Sequence, residues 1–434
     1  MTPPAVVVGQ AQEPVAPLEI LHGFTLIDGL GGAPVRDGAL AVRGATIVDT
    51  GPFEDVLARV PDGEASVRLD LGGGYVVPGL IDAHVHLATA PERDLAVAEL
   101  RRLFRSGITA VRDMAGDARL LGALALEART GRIEGPDIHY AALVAGPSFF
   151  EDRRARTSAE GVEAGEAPWM QSFAPGTDVA VTVARARGTS ASGLKIYADL
   201  PAEQVRRLTE EAHRQGLPVW AHAMVYPARP LEVVQSGVDV VSHVCPMAWE
   251  AMAEAPDRYH HPSRPGFERV SADAPVFDML LGEMARRGTI LDATLAMHGR
   301  VEAGRPEGTG PAPVGPTAVC SREFARALVR RAHGLGVRIA AGTDFTTPHG
   351  EPPALFLELQ ALVEHGGLSP LEAIAAATRV AAAAIGLQDR IGTLQAGTEV
   401  TFLLLSDDPS VDIANLGTVR EVWKNAARTR LNTP

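Results

Sequence analysis

Apolar and polar positions follow two rhythms along this chain. From Leu18 to Asp70, short apolar stretches such as LEILHGFTLID and ALAVRGATIVDTG are separated by turn signals, among them GLGGAPVRDG. That period predicts a small antiparallel β-unit. The same texture returns near the far end, in RIGTLQAGTEVTFLLLSDDP and TVREVWKNAART. Two β-rich ends around a different middle predict one small β-sandwich domain built from both termini, over residues 18–78 and 390–434. Residues 1–17, rich in Pro and Gln, read as a flexible leader.

Between residues 79 and 389 the pattern alternates. Eight apolar, β-branched runs recur in order: GLIDAHVHL, GITAVRDM (Gly107–Met114), DIHYAALVAG, GLKIYADL (Gly193–Leu200), PVWAHAM, VDVVSHVC, TILDATLAM and VRIAAGTD. Helical patterns lie between them, including DLAVAELRRLFRSG, PAEQVRRLTEEAHRQG, PLEVVQSG and SREFARALVRRAHGLG. Several end in Gly, as helix C-termini do. Eight βα repeats in about 300 residues predict a TIM (β/α)8 barrel as the catalytic domain. A doubly wound open sheet is the competing architecture, but it wants a Gly-rich phosphate turn after its first strand. HVHLATAPERD, which follows the first strand here, has none.

Two connections exceed what a barrel needs, one from Pro147 to Ser192 and one from Pro246 to about Arg287. Both follow strands and so sit on the catalytic face, where long loops serve as lids or binding walls. A disordered surface insertion is the other reading of their charged centres.

Charge narrows the partners. The chain carries 40 Lys and Arg against 53 Asp and Glu, a net −13. Nucleic acid and anionic membranes both want basic patches, so neither is expected. The two cysteines, Cys245 and Cys320, cannot build a disulfide framework, and each reads as a small buried hydrophobe. No apolar run reaches the roughly 18 residues that span a bilayer. The first residues lack a basic n-region, so a cytoplasmic location is expected for the sequence as written, unless an export signal has been trimmed. A small-molecule substrate and a homo-oligomer complete the expected partners.

Barrel chemistry collects at the C-terminal ends of strands. The first strand ends in His84 and His86, the fourth carries Lys195, the fifth ends in His222, the sixth in His243 and the eighth in Asp344. One alternation step separates His84 from His86, so both point to the same face. Singly, each residue has an ordinary reading: a strand-capping H-x-H, a satisfied core histidine, a salt-bridged lysine, an N-cap aspartate. Jointly they make little sense as a core, because buried polar groups are costly unless paired or metal-bound.

PGLIDAHVH, GLKIY, AHA, SHV and AGTD, in this order, resemble the amidohydrolase superfamily, in its binuclear, prolidase- and dipeptidase-like branch with a carboxylated lysine. LSPLEAIAAATRVAAAAIGLQDRIGTLQAGTEVTFLLL resembles the family's final helices and return strand. The likeness covers about residues 18 to 425 and departs at AGTEVTFLLL, where relatives usually carry Ala-Asp before the apolar strand. It implies two divalent metal ions, zinc first, with His84, His86 and Asp344 on one and His222 and His243 on the other. Lys195, carboxylated by CO2, would bridge them, since burial beside cations favours the neutral amine that captures CO2. Ions about 3.5–4 Å apart would share a hydroxide of pKa near about 7, which attacks a polarised carbonyl. Asp344 would act catalytically by taking that hydroxide's proton and passing it to the leaving amine.

The resemblance further implies cleavage of a peptide-like amide C–N bond, in N-acyl amino acids or dipeptides with a free carboxylate. Esters, lactones or organophosphates could use the same site, and a non-catalytic binding barrel is the reading from another class. The carboxylate needs a partner. Tyr226, just past His222, and His298, after the seventh strand, are the expected substrate contacts. His139 and Tyr140 open their strand and are expected at the stability face, and Arg153, Arg154 and Arg156 read as a solvated loop. VAGPSFFEDRR stands where relatives carry a Gly/His-rich segment, which argues against strict Xaa-Pro specificity. Phe149, Phe150 and Trp169 either line an apolar acyl pocket or pack the loop down.

Overall fold

The computed structural model describes residues 16–61, 64–259, 270–297 and 321–431. Each of the eight apolar runs forms a barrel strand: Leu80–Val85, Ile108–Asp113, Asp137–Ala145, Gly193–Ile196, Val219–His222, Val240–Ser242, Ile290–Asp292 and Ile339–Ala340. Each pairs in parallel with the next. Every residue of the first two strands is buried. Strands covered on both faces read as continuous apolar runs because neither face meets water.

Closure of the barrel is what assembles the site. The Ala83 N–H donates to the Ala341 carbonyl at 2.9 Å, and the Asp344 N–H to the His84 carbonyl at 2.9 Å. Asp82 ties the same seam by accepting the Thr343 hydroxyl at 2.9 Å. First and last strands, 260 residues apart in sequence at His84 and Asp344 (344 − 84), therefore end side by side. Gly342 makes the approach feasible, because a Cβ there would run into the Asp292 carboxylate and the His84 Cβ.

Helices Arg93–Arg105, Ala202–Arg214, Pro230–Gln235 and Arg322–Gly334 fill intervals predicted as helical. Gly107, Gly216, Gly237 and Gly336, all with positive φ, follow their ends and let the chain leave the helix left-handed. In Ala202–Arg214, Val205, Leu208, Thr209 and Ala212 are buried at helical spacing. Arg206 pairs with Glu203 and Glu210 on the solvent side.

The second unit is an eight-stranded sheet drawing on both ends of the chain. Phe402–Leu405 joins them by pairing antiparallel with Tyr75–Pro78. The sheet is mixed, not purely antiparallel: Ser66–Asp70 and Tyr75–Pro78 run parallel to Leu18–Leu26. Parallel neighbours need a crossover, and helix Phe53–Ala58 stands between Thr46–Pro52 and Ser66–Asp70. Alternation then sorts the side chains. Leu18, Ile20, Ala39 and Ala41 pack with Val56 of that helix, while Leu21, Leu40 and Val42 meet Phe402, Leu404 and Trp423.

The connection after the third barrel strand is built structure. A 3-10 turn at Pro147–Glu151 leads into helix Arg153–Ser158 and a hairpin of Glu166–Ala167 with Met170–Ser172. Met170–Ser172 adds a parallel strand to Asp137–Ala145. The Trp169 indole N–H donates to the Ser158 carbonyl at 3.0 Å and fastens the segment. The second long connection opens in the 3-10 turn Cys245–Ala251 and closes in helix Pro275–Arg287. Cys245 is buried, as expected. Cys320, like the expected leader up to residue 15, lies outside the described residues. Among the described residues, no helix is long and apolar enough to cross a membrane.

Candidate metal centre

Each candidate side chain is carried by a strand end, and the barrel turns them toward one another. His84 Nε2 lies 3.4 Å and His86 Nε2 3.1 Å from Asp344 Oδ1, and His243 Nδ1 lies 3.8 Å from Asp344 Oδ2. The His243 ring is 4.9 Å from that of His84 and 4.8 Å from that of His222. Lys195 Nζ lies 5.4 Å from the centre of the Tyr197 ring, which is itself 5.3 Å from His222. His84, His86, Lys195, His243 and Asp344 line one cavity of about 310 Å³. Among the described residues lining it, His222 does not appear; its ring packs against those of His243 and Tyr197.

Backbone strain concentrates here. His243 (φ 74°) and Asp344 (φ 57°) are left-handed, at about 1–2 kcal/mol each for a residue with a Cβ. Ala115 (φ 102°) and Thr294 (φ 48°), which hold His86 and His243, share the feature. Strained residues clustered at one rim of a barrel mark a functional site.

The proton inventory tests whether a cation fits. Burial holds the His84 ring well below the usual histidine pKa, so it is neutral. Its Nδ1 lies 2.7 Å from Asp292 Oδ2 and carries the proton. Nε2 then turns a lone pair toward Asp344 Oδ1 and has no hydrogen-bond partner. Burial alone would raise the pKa of Asp344, but the hydrogen bond from His86 holds it below the usual carboxylate range. Two electron-rich atoms facing each other in a buried gap repel unless a cation lies between them. His86 faces the Ala115 carbonyl through Nδ1 at 3.3 Å, and that oxygen can only accept. His84, His86 and Asp344 each offer a ligand atom within 4.8 Å of the others and could hold an ion. Lys195 Nζ is fully buried without a hydrogen-bond partner. Burial, more than the opposing pull of Asp344, pushes its pKa down to about 8.

Residues 75–239 and 308–429 match the amidohydrolase family. The chain belongs to that family. It is 27% identical to an imidazolonepropionase of Symbiobacterium thermophilum over 86% of this chain and 85% of that one. It is 26% identical to an ochratoxinase of Aspergillus niger, over 94% and 86%. The solved ochratoxinase structure superposes with a TM-score of 0.73 at 24% identity, covering 96% of each chain. A Xaa-Pro dipeptidase structure gives 0.73 at 22%, covering 95% and 100%. At those identities the two structures speak to the fold alone. As a member of the family the protein is a hydrolase, which sets aside the reading as a non-catalytic barrel, and members are generally metal-dependent.

In this amidohydrolase the ligand candidates rest on a charged layer that the motifs did not reveal. Asp292 Oδ2 meets His84 Nδ1 and accepts from Arg112 Nη2 at 3.0 Å and Ser242 Oγ at 2.8 Å. Arg112 is fully buried over the Trp220 ring, 4.9 Å from its centre. The available signal was Arg112 and Asp113 inside the apolar run GITAVRDM and Asp292 inside TILDATLAM. A carboxylate behind a histidine fixes its tautomer and orientation, and losing such a partner costs about 10–100-fold in metal affinity. Asp292→Asn is therefore expected to weaken metal binding by about that factor in a chelator competition. Unchanged affinity would reduce Asp292 to a fold-stabilising role.

The expected substrate contacts fare differently. Tyr226 is buried against Trp249 and Tyr259 and, among the described residues, is not on the cavity wall. His298 lies outside the described residues. His139 and Tyr140 sit at the opening of their strand, and Tyr140 donates to the Thr189 carbonyl. Phe149 lines the cavity, whereas Phe150 and Trp169 are buried away from it. Arg153, Arg154 and Arg156 are all exposed, as expected of a solvated loop; Arg156 donates to the Glu151 carbonyl, and Arg154 also lies on the cavity wall.

Proposed function

We propose that this amidohydrolase is a binuclear metal-dependent hydrolase that cleaves the amide bond of N-acyl amino acids or dipeptides bearing a free carboxylate. One observation carries the reading: a fully buried, unpartnered Lys195 Nζ shares a cavity with His84, His86, His243 and Asp344. His84, His86 and Asp344 would hold one ion, His222 and His243 the other, and Lys195 would bridge. Nitrogen and oxygen donors suit zinc. When bound, such ions polarise a carbonyl and lower the pKa of water towards about 7.

The chain's own groups account for the rest. Lys195, with its pKa depressed by burial to about 8, has a neutral-amine fraction near neutral pH that an ordinary lysine lacks. That amine adds to CO2, forming an N–C bond and losing one N–H proton, and becomes an anionic carbamate with two donor oxygens. Asp344, kept ionised, accepts a proton from the attacking water and delivers it to the amide nitrogen, which is a poor leaving group until protonated. Met114, Leu143, Phe149, Met170 and Met297 supply an apolar wall for an acyl group or side chain. Without the Gly/His-rich segment, strict Xaa-Pro preference is not proposed.

Turnover of a panel by metal-loaded protein tests the reading. At least one N-acyl amino acid or dipeptide is expected to reach kcat/KM of about 10⁴ M⁻¹s⁻¹ or more, ahead of matched esters, lactones and organophosphates. Faster turnover of the esters or lactones would replace amide cleavage as the assigned reaction.

A further inference from the structure

Among the described residues, the cavity wall holds one Arg or Lys besides Lys195, namely Arg154. We propose that Arg154 is the residue that recognises the substrate's carboxylate, an assignment that rests on the amide-hydrolase reading above. Helix Arg153–Ser158 starts at Asp152, whose carboxylate caps it by accepting the Arg154 N–H at 2.7 Å. The same carboxylate grips the guanidinium, with Nε to Oδ1 at 3.2 Å and Nη2 to Oδ2 at 2.8 Å. Nη2 also donates to the Tyr259 hydroxyl at 3.1 Å, and that hydroxyl lies 3.1 Å from the Tyr197 hydroxyl.

These contacts fix one edge of the guanidinium and leave the other. Among the described residues, Nη1 has no protein acceptor. An arginine presents its donors as a planar fork, so a carboxylate on one edge orients the opposite edge for a second carboxylate. The Tyr197 ring lies 5.3 Å from that of His222 and 4.7 Å from that of Phe149. Arg154 is thus linked through Tyr259 and Tyr197 to the metal-ligand cluster. A substrate whose amide lies at that cluster can reach Arg154 with its carboxylate, while its apolar part lies along Leu143, Met170 and Phe149. With a net charge of −13, the protein attracts no anion by its overall field. Anion recognition must be local, and Arg154 supplies it.

N-benzoyl-L-phenylalanine and its decarboxylated analogue, N-benzoyl-phenethylamine, separate the possibilities when assayed with metal-loaded wild type and Arg154→Met. Removing a charge-assisted hydrogen bond costs about ten- to hundredfold. Arg154→Met is therefore expected to raise KM for the carboxylate substrate by about that factor, with kcat changed far less. Wild type should show the same penalty on the decarboxylated analogue, and the substitution should add nothing further there. Arg154→Lys should recover part of the loss. Equal wild-type turnover of both compounds would overturn the assignment while leaving an amide hydrolase in place, and that comparison needs no folded variant. An equal loss on both compounds in Arg154→Met would overturn it as well. No turnover of either by wild type, with the ester and lactone panel active, would remove the amide reading and this inference together.

Discussion

Replacing Lys195 by Ala is expected to lower turnover by about 10³-fold or more, corresponding to about 4 kcal/mol of lost transition-state stabilisation. Bound metal should fall with it. The reason is local. Nζ is buried with no protein hydrogen bond, and burial lowers its pKa to about 8, so a minority of molecules carry the neutral amine near neutral pH. A lysine serving only as a buried counter-charge would tolerate Arg in its place, because Arg keeps the charge. Arg cannot lose its proton to capture CO2, so Lys195→Arg should be as inactive and as metal-poor as Lys195→Ala. Circular dichroism on both variants separates this loss from misfolding. A folded, active Lys195→Arg protein would show that the amine has no part in holding metal.

The second large effect is at Asp344. Asp344→Asn keeps the shape of the side chain and removes the proton acceptor, so kcat should fall by about 10²–10⁴-fold, the range of a lost general acid–base group. KM should move little, since the apolar wall and Arg154 are untouched. His84 and His86 lie 3.4 and 3.1 Å from that side chain and keep their own ligand nitrogens in the variant. Metal content should therefore drop less in Asp344→Asn than in Lys195→Ala. Wild-type kcat in the Asn variant would exclude Asp344 as the proton carrier.

Much of this was legible in the sequence, and the gaps have physical causes. Buried parallel strands betray themselves as continuous apolar runs, which is why all eight barrel strands could be placed. His84, His86, Lys195, His222, His243 and Asp344 stood out because each ends or interrupts such a run with a polar group. Asp292 and Arg112 interrupt runs too, but their pairing spans 180 residues and depends on which strands face each other across the barrel. The parallel course of Ser66–Asp70 turns on a six-residue helix, Phe53–Ala58, too short to carry a periodic signal. Arg153, Arg154 and Arg156 look alike in sequence. Only the direction in which one helical turn leaves Asp152 brings Arg154, and not Arg153 or Arg156, to the cavity. Tyr226 was chosen for its nearness to His222 in sequence, yet its left-handed backbone (φ 52°) accompanies a ring packed against Trp249.

The two-ion centre is tested most directly by the metal-to-protein ratio of wild-type protein, loaded with excess zinc and bicarbonate and then freed of unbound ions. Two zinc ions per chain are the predicted result. One ion per chain, or none, would contradict it.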